Sequence, residues 1–284
     1  MKMNIFQKGF NLSQDGAGNR LVLHMQGCNM RCRWCSNPES FLTYGTIMAD
    51  KQWLISSICE NGAIENKSLD RKICDSCTSK NCLKKKNKGV RLSCKEYEIS
   101  ELISEAVECK PLFFENGGIT VSGGEPTMQY EAVSALFKAL KKEGINTCME
   151  TNGTSEKLIE LSDDIDYLIM DFKHYDNTKH REFTGIGNEV VLRNLANLND
   201  RSVLIRIPLI GGFNASKEEA ERFAWLLKGM KNAEFEFLKY HNYGEIKWEK
   251  CGLEYKMENG DVSDETLRYF EKTFIDSGLR VIHT

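Results

Sequence analysis

The sequence of 284 residues lacks three features that would place it in other classes of protein. No stretch approaches the roughly 18 uninterrupted apolar residues that a membrane-spanning helix needs. Residues 1–11 lack the apolar core of a secretory signal. The formal net charge is only −3, which gives no long-range attraction for nucleic acid. We therefore expect neither a membrane nor a nucleic-acid partner, and the cytoplasm is the expected location.

The composition, 41% hydrophobic and 28% charged residues, is ordinary for a folded domain. One dense basic run stands out, and it contains Lys84, Lys85, Lys86 and Lys88. Such a run is usually a solvated loop. The alternative is a docking surface for an acidic electron donor, a flavodoxin or ferredoxin.

Cysteine is unusually frequent, with eleven residues. In a reducing compartment such residues are metal ligands or buried thiols rather than disulfides. Three lie within residues 28–35 and five within residues 59–94, and clustering of this kind indicates metal. Cys109, Cys148 and Cys251 stand alone and have no predicted role.

Short apolar, β-branched segments alternate with helical patterns along most of the chain. Strands are predicted at residues 21–25, 119–122, 145–149, 167–170, 203–208 and 235–238. Strands separated by helices pair in parallel, in a doubly wound sheet or a (β/α) barrel. A complete eight-unit barrel takes about 250 residues, and residues 38–94 fit no such unit. The sequence therefore predicts an α/β fold, a partial (β/α)6 TIM-like barrel formed by residues 1–37 and 95–284.

Sequence signals mark the first turns of two predicted helices. Ser100 is the expected N-cap of a helix that ends at Glu108. Ser216 and Glu219 form a capping-box pattern before another apolar-periodic segment. A final strand is predicted at residues 279–282.

Polar residues follow the apolar segments where the predicted strands end. They are found at residues 27–28, 122–126, 150–153, 171–173, 206 and 240–241. Parallel β/α architectures bind ligands and perform their chemistry at the carboxyl ends of their strands. We therefore expect these side chains to meet at one opening.

Three cysteines, Cys28, Cys32 and Cys35, follow the first predicted strand with the spacing CX3CX2C. Thiolates are the ligands of iron–sulfur clusters, and three on one short loop can reach three corners of a cubane. The fourth iron is then open to bind a substrate group. Zinc is the alternative, but a structural zinc site needs four protein ligands, and His24, the nearest candidate, lies inside the preceding strand.

This triplet resembles the signature of the radical S-adenosylmethionine (SAM) superfamily. The stretch Gly123-Gly124-Glu125-Pro126 is similar to the segment that binds the SAM amino group in that superfamily. The resemblance implies a 4Fe–4S cluster whose open iron binds SAM. It also implies reductive cleavage of SAM to methionine and a 5′-deoxyadenosyl radical.

Further segments resemble the glycyl radical enzyme activating enzymes, the pyruvate formate-lyase activating enzyme-like family. They are Asp15-Gly-Ala-Gly18, Cys35-Ser-Asn37-Pro-Glu-Ser40 and residues 118–126, 147–153, 171–173, 206–208, 211–214 and 240–247. Ala17 and Ser36 depart from the Pro and His of the family pattern. This resemblance implies the cofactor-binding residues Asn37, Gly123, Gly124, Glu125, Glu150, Thr151, Asp171, Lys173, Arg206 and His241.

The same resemblance implies individual roles. Glu150 would hold the SAM ribose, Lys173 would pair with the SAM carboxylate, and His241 would lie against the adenine. Each residue type suits its role, since lysine is a point cation and a carboxylate accepts hydroxyl hydrogen bonds. Lys173 and the three cysteines are the expected catalytic set. A surface ion pair remains the alternative for Lys173 with Asp171, as does a bracing role for Arg206.

Residues 38–94 resemble the ferredoxin-like insertion of many such activating enzymes. Of a first cluster motif only Cys59 remains, whereas Cys74, Cys77 and Cys82 look like a second motif. Because the fourth cysteine of each ferredoxin motif binds the other motif's cluster, these four could hold one auxiliary 4Fe–4S cluster. Cys94 could replace Cys59 or Cys82. Four thiolates would also suit zinc.

The resulting hypothesis is an activase that abstracts the Cα hydrogen of a glycine in a partner glycyl radical enzyme. A partial barrel would admit the partner's glycine segment more readily than a closed one. The alternatives are a radical SAM maturase or small-molecule enzyme, and an iron–sulfur electron carrier.

Overall fold

A computed structural model of the chain describes residues 1–12, 14–86 and 89–284, so Lys88 of the basic run lies outside the described residues. The strands are β1 (Lys2–Leu12), β2 (Asn19–Met25), β3 (Ile47–Ala49), β4 (Ile64–Glu65), β5 (Ser68–Leu69), β6 (Val90–Leu92), β7 (Lys95–Glu98), β8 (Gly118–Gly123), β9 (Asn146–Thr151), β10 (Tyr167–Asp171), β11 (Val203–Leu209), β12 (Ala233–Lys239) and β13 (Arg280–Val281). The helices are α1 (Arg71–Ser76), α2 (Ile99–Glu108), α3 (Tyr130–Lys142), α4 (Leu158–Leu161), α5 (Asn177–Thr184), α6 (Glu189–Asn197), α7 (Lys217–Leu227), α8 (Glu245–Lys250) and α9 (Asp264–Asp276). In this described part of the chain, no helix is long and apolar enough to cross a membrane.

The described residues form one large sheet in the order β13-β12-β11-β10-β9-β8-β2-β1-β7. All strands from β2 to β13 in this order pair in parallel. The edge strands β7 and β13 lie at opposite ends of the order, so the sheet is open. This confirms the predicted α/β fold with six β/α units in an incomplete barrel. The two-residue strand β13 extends the sheet beyond β12.

Two antiparallel strands on one side of the sheet were not expected from the sequence. Strand β1 pairs with β2 on one edge and with β7 on the other. Its register shifts between Ile5 and Gln7, which places a β-bulge at Phe6. Only Met3 and Ile5 of this strand are buried, so the alternating pattern is too short to predict it.

The helix starts agree only partly with their sequence signals. Ser216 caps α7 as predicted and accepts from the amide of Glu219, but the Glu219 side chain accepts from Lys179 instead of completing the box. The prediction of Ser100 as an N-cap is wrong. Helix α2 begins at Ile99, because Glu98, two residues before Ser100, is the N-cap and forms a reciprocal capping box with Glu101.

The two faces of the sheet have different chemistry. The outer face packs against the helices in the main core, which includes Leu23 of β2, Phe137 of α3 and Phe274 of α9. The inner face has a small apolar layer of Cys148, Ile169 and Leu204. Because strand residues alternate between faces, polar residues such as His24 and Glu150 lie on the inner face beyond this layer.

Residues 38–94 form a separate small core between β2 and β7 along the chain. Strands β3 and β6 pair antiparallel, as do β4 and β5, and α1 follows. Its buried residues are Ile47, Ala49, Leu54, Ile58, Ala63, Ile64, Leu69, Cys74 and Val90. The division into a barrel and a ferredoxin-like insertion stays a prediction.

Arg20 braces the start of the parallel sheet from inside. It is 1% exposed, and its Nε donates to Thr120 Oγ1 at 2.7 Å. Its Nη atoms donate to the backbone carbonyls of Ala17, Asn116, Ile119 and Asn146. One guanidinium therefore connects the start of β2, the turn before it, and the starts of β8 and β9.

We expect Arg20→Met to lower the free energy of unfolding by about 2–4 kcal/mol, because several buried carbonyls lose their donor. Arg222→Met is the control, since Arg222 on α7 is 60% exposed and forms an ion pair with Glu218 of the same helix; we expect a change below about 0.5 kcal/mol. Anaerobic urea unfolding followed by tryptophan fluorescence measures both. Equal effects of the two substitutions would contradict the bracing role.

Candidate functional site

The cysteine loop follows β2 and is fixed by neighbouring elements on two sides. The amides of Arg31 and Arg33 donate to the carbonyls of Thr184 and Phe183 at the end of α5, at 2.7 and 3.0 Å. On the other side, Trp248 Nε1 of α8 donates to the carbonyl of Cys35 at 2.8 Å. These hydrogen bonds fix the sulfur-bearing loop between α5 and α8.

The three thiols of this loop are largely shielded from water. Burial raises the pKa of Cys28 to about 12 and also raises the pKa of Cys32 and Cys35. Such thiols become thiolates when a metal supplies positive charge, because a coordinated thiol is deprotonated. Their spacing leaves one cubane corner without a protein ligand, so the donor set fits a site-differentiated 4Fe–4S cluster.

A cavity of about 900 Å³ opens beside the loop at the carboxyl ends of the strands. A volume of this size is in the range of small-molecule cofactor sites. Twelve of the predicted residues line it together: Cys28, Cys32, Cys35, Asn37, Gly123, Gly124, Glu150, Thr151, Asp171, Lys173, Arg206 and His241. The expectation that the strand ends share one opening is confirmed.

Gly123 and Gly124 are required by the approach of β8 to β2. Gly123 has φ +108°, and a Cβ there would lie 2.5 Å from the amide nitrogen of Met25. A Cβ on Gly124 would lie 2.3 Å from the carbonyl oxygen of Gly27. The glycines therefore keep the end of β8 against the chain segment that leads into Cys28.

Glu125 is placed differently from the expectation, because it does not line the cavity. It is fully buried and accepts four hydrogen bonds, from Thr127 N and Oγ1, Thr151 Oγ1 and Asn152 N. Burial raises the pKa of this carboxyl, and these donors oppose the rise. Its contacts therefore position Thr151 and Asn152 from behind the cavity wall.

Lys173 is 7% exposed, and its Nζ donates to Asp171 Oδ2 at 2.5 Å. Burial lowers the pKa of Lys173, but Asp171 and the thiol of Cys32 outweigh it, so the net shift is upward. The backbone carbonyl of Lys173 accepts from Asn214 Nδ2 at 2.8 Å. The alternative of a surface ion pair is wrong, since this cation lies at the cavity beside the cysteines.

Arg206 of β11 lies between the carboxylates of Glu236 on the adjacent strand β12 and Glu150 on β9, two strands away. It donates to Glu150 Oε1 and, through Nε at 2.7 Å, to Glu236 Oε2. Glu150 also accepts from Ser122 Oγ at 2.5 Å. Burial raises the pKa of Glu150 to about 7, although Arg206 opposes the shift. Arg206 thus lines the cavity and also has the bracing role that was its alternative.

His241 and Asn37 lie at the edge of the cavity nearest α8. His241 is exposed and stacks on Tyr243, with ring centroids 4.4 Å apart and an interplanar angle of 20°. Asn37 Oδ1 accepts from Lys247 Nζ at 2.7 Å. The same ammonium lies 2.8 Å from Glu39 Oε1.

Several residues that contact the site were not selected from the sequence, among them Trp248, Asn152 and His24. Trp248 holds the loop, and Asn152 Nδ2 lies 3.9 Å from Cys28 Sγ. His24 lines the cavity from β2. Asn152 lies within residues 147–153, a segment that resembles the activating enzymes, so the sequence could have identified it as a site residue. A single tryptophan, or a histidine inside a strand, has no sequence pattern that identifies it as a site residue.

A second group of cysteines lies in residues 38–94. Cys59, Cys74, Cys77 and Cys82 line one small cavity with apolar neighbours such as Ile64. Cys94 does not line it, and its sulfur lies beside Gly45, 2.9 Å from the position a Cβ would take there. Among the described residues, no three His, Cys, Asp or Glu side chains are arranged to hold a single metal ion.

Comparison with known proteins agrees with this site. The model of the radical SAM superfamily matches residues 22–224. A 4-hydroxyphenylacetate decarboxylase activating enzyme of Clostridioides difficile (strain CD196) is 33% identical, over 93% of this chain and 90% of its own length. A (2S)-3-sulfopropanediol dehydratase activating enzyme of Klebsiella oxytoca is 33% identical, over 88% and 85%.

Among solved structures, Streptococcus suis SuiB bound to the precursor peptide SuiA matches with a TM-score of 0.55 and 13% identity, over 92% of this chain and 47% of that chain. At this identity the likeness concerns the fold alone. The chain belongs to the radical SAM superfamily and, within it, to the glycyl radical enzyme activating enzymes. Its cofactors are accordingly a 4Fe–4S cluster and SAM.

Because Glu125 positions the cavity wall, we expect Glu125→Gln to weaken SAM binding about tenfold, as an amide NH2 replaces one oxygen that accepts hydrogen bonds. Isothermal titration of SAM into the anaerobic, iron-loaded protein measures this. Glu156→Gln is the matched control, since Glu156 is 75% exposed. Unchanged affinity in Glu125→Gln would contradict the positioning role.

Proposed function

We propose that the chain generates the glycyl radical of a partner enzyme, with SAM bound in the cavity beside Cys28, Cys32 and Cys35. The observation that supports this most directly is that the three thiols line the same cavity as Lys173 and Glu150. When bound, the cluster and SAM supply a carbon radical that can remove a hydrogen atom from a glycine Cα.

The cavity residues bind and orient SAM in this proposal. Lys173, whose ammonium is kept charged by Asp171, pairs with the SAM carboxylate. Glu150 accepts hydrogen bonds from the ribose, and Thr151 contacts the amino group. His241 offers a flat ring to the adenine at the edge of the cavity. Correct placement of reacting groups is itself a large part of catalysis.

The open sheet gives a partner segment access to this cavity. Tyr243, next to His241 at the opening, is 80% exposed. Ile246 of α8, three residues after Tyr243 in the chain, is 56% exposed. An accessible opening with aromatic and aliphatic side chains suits a protein substrate, because such residues dominate protein contacts.

The partner panel for a test consists of a 4-hydroxyphenylacetate decarboxylase, a (2S)-3-sulfopropanediol dehydratase and the glycyl radical enzyme encoded nearest to this chain's gene. We expect anaerobic incubation with SAM and dithionite to produce a glycyl radical in at least one panel member, detected by electron paramagnetic resonance. Cys32→Ser, which removes one cluster ligand, is the control and should give none. SAM cleavage without a radical in any panel member would count against the proposal.

Residues 38–94 are proposed to hold one auxiliary 4Fe–4S cluster through Cys59, Cys74, Cys77 and Cys82. These four line one cavity, and Cys94 does not. Zinc, which four thiolates would also suit, is the alternative for this site.

Separate substitution of Cys59 and Cys94 by serine tests the ligand set. We expect Cys59→Ser to lose about four irons per chain, the content of one [4Fe–4S] cluster, and Cys94→Ser to retain them. Iron analysis and Mössbauer spectra of the anaerobically reconstituted proteins provide the measurement. Loss of iron only in Cys94→Ser would show that the proposed set is wrong.

The electron donor is proposed to be an acidic flavodoxin or ferredoxin that docks on Lys84, Lys85 and Lys86. This run begins two residues after Cys82. Lys85 Nζ lies 3.1 Å from Glu60 Oε1, close to Cys59 in the chain. A donor at this surface would lie beside the proposed auxiliary cluster.

A further inference from the structure

His24 is a polar residue on the inner face of β2, four positions before Cys28. Its neighbours Leu23 and Met25 belong to the outer core, whereas His24 lines the cavity. It is paired in register with Gln7 of β1 and Ser122 of β8. The β-bulge at Phe6 lies directly beside it. Bulges of this kind occur next to active sites, where they redirect side chains.

The two ring nitrogens of His24 have different surroundings. Nδ1 is buried and has no hydrogen-bond partner among the described residues, which leaves Nε2 as the nitrogen through which the ring can reach the cavity that it lines. The ring lies against Phe6, with centroids 5.6 Å apart. Burying an unpaired N–H is rarer in proteins than burying an unpaired acceptor. The favoured tautomer is therefore the one in which Nε2 bears the hydrogen.

The charge state of His24 is consistent with a neutral donor. Burial lowers the pKa of the imidazole, and the opposing effect of Asp15 is smaller. A neutral ring does not repel the sulfonium of SAM. It presents one N–H group to the cavity, and none of the described side-chain hydrogen bonds involves that group.

His24 lies where two parts of the cavity wall meet, since its register partner Ser122 donates to Glu150 and Gly123 packs against its backbone. Asn11, Gln14 and Asp15, from the connection between β1 and β2, line the cavity near it. The residues proposed to contact SAM lie on β9 and on the segments that follow β10 and β12. The hairpin side of the cavity thus has polar groups available for a second molecule.

We propose that His24 is a positioning residue for the protein substrate, whose Nε2–H donates to a backbone carbonyl beside the target glycine. This inference rests on the proposed function. A backbone carbonyl is an acceptor that any glycine segment offers, whatever its side chains. One such hydrogen bond fixes the segment relative to the group that removes the Cα hydrogen, and small misplacements lower such rates strongly.

The test compares His24→Leu, which removes the donor, with His24→Gln, which restores an N–H group. Phe6→Leu is the control for local packing, because Phe6 contacts the ring but does not line the cavity. Each variant is iron-loaded and mixed with the partner panel grown on Cα-deuterated glycine. Three quantities are measured: SAM affinity, 5′-deoxyadenosine formed without partner, and deuterium transferred to 5′-deoxyadenosine with partner.

We expect His24→Leu to transfer deuterium about tenfold more slowly, the effect of one lost hydrogen bond. Its SAM affinity and partner-free SAM cleavage should stay within about twofold of the unsubstituted protein. His24→Gln should recover most of the transfer, and Phe6→Leu should leave all three quantities nearly unchanged.

Other results overturn the inference. Weaker SAM binding in His24→Leu would make His24 a SAM contact. Unchanged deuterium transfer would exclude a role of His24 in positioning the protein substrate. If His24→Gln does not recover deuterium transfer, the effect of His24→Leu would come from altered packing and not from a lost hydrogen bond. If the unsubstituted chain cleaves SAM but takes deuterium from no panel member, the proposed function fails and this inference fails with it.

Discussion

The fixed position of the Cys28–Cys35 loop between α5 and α8 is the constraint on which the rest of the site depends. Backbone hydrogen bonds to Thr184 hold one side and Trp248 holds the other. Burial makes the thiolates costly unless positive charge is present, as the raised pKa of Cys28 indicates. The protein therefore fixes the loop with hydrogen bonds, and the thiolate form of its cysteines becomes stable when metal binds.

The charged side chains on the inner face of the sheet are also paired with groups of opposite charge. Asp171, Glu150 and Glu236 face two cations, Lys173 and Arg206. Fully ionised, these five groups leave one negative charge. SAM brings an ammonium, a carboxylate and a sulfonium, a net positive charge of one. The pKa of about 7 for Glu150 means that an arriving cation favours its ionised form.

The sequence predicts the parallel strands well because each is a continuous apolar segment that ends in polar residues. Strand β1 escaped prediction since only its first half is buried. Glu125 was assigned to the cofactor from its motif, yet its side chain points behind the wall, a direction that a motif does not specify. His24 gave no signal, because its role depends on a bulge in another strand.

Structural and redox roles of the proposed auxiliary cluster in residues 38–94 would not be exclusive alternatives. Among the described residues, the core cluster of this segment contains nine buried apolar residues, and Cys74 is one of them. Small units of this kind usually need a metal or a cross-link to fold stably. Four thiols that line one cavity inside this core would provide that link. An electron relay built this way would also hold its own scaffold together, so removing a ligand should disturb the fold and the electron path at once.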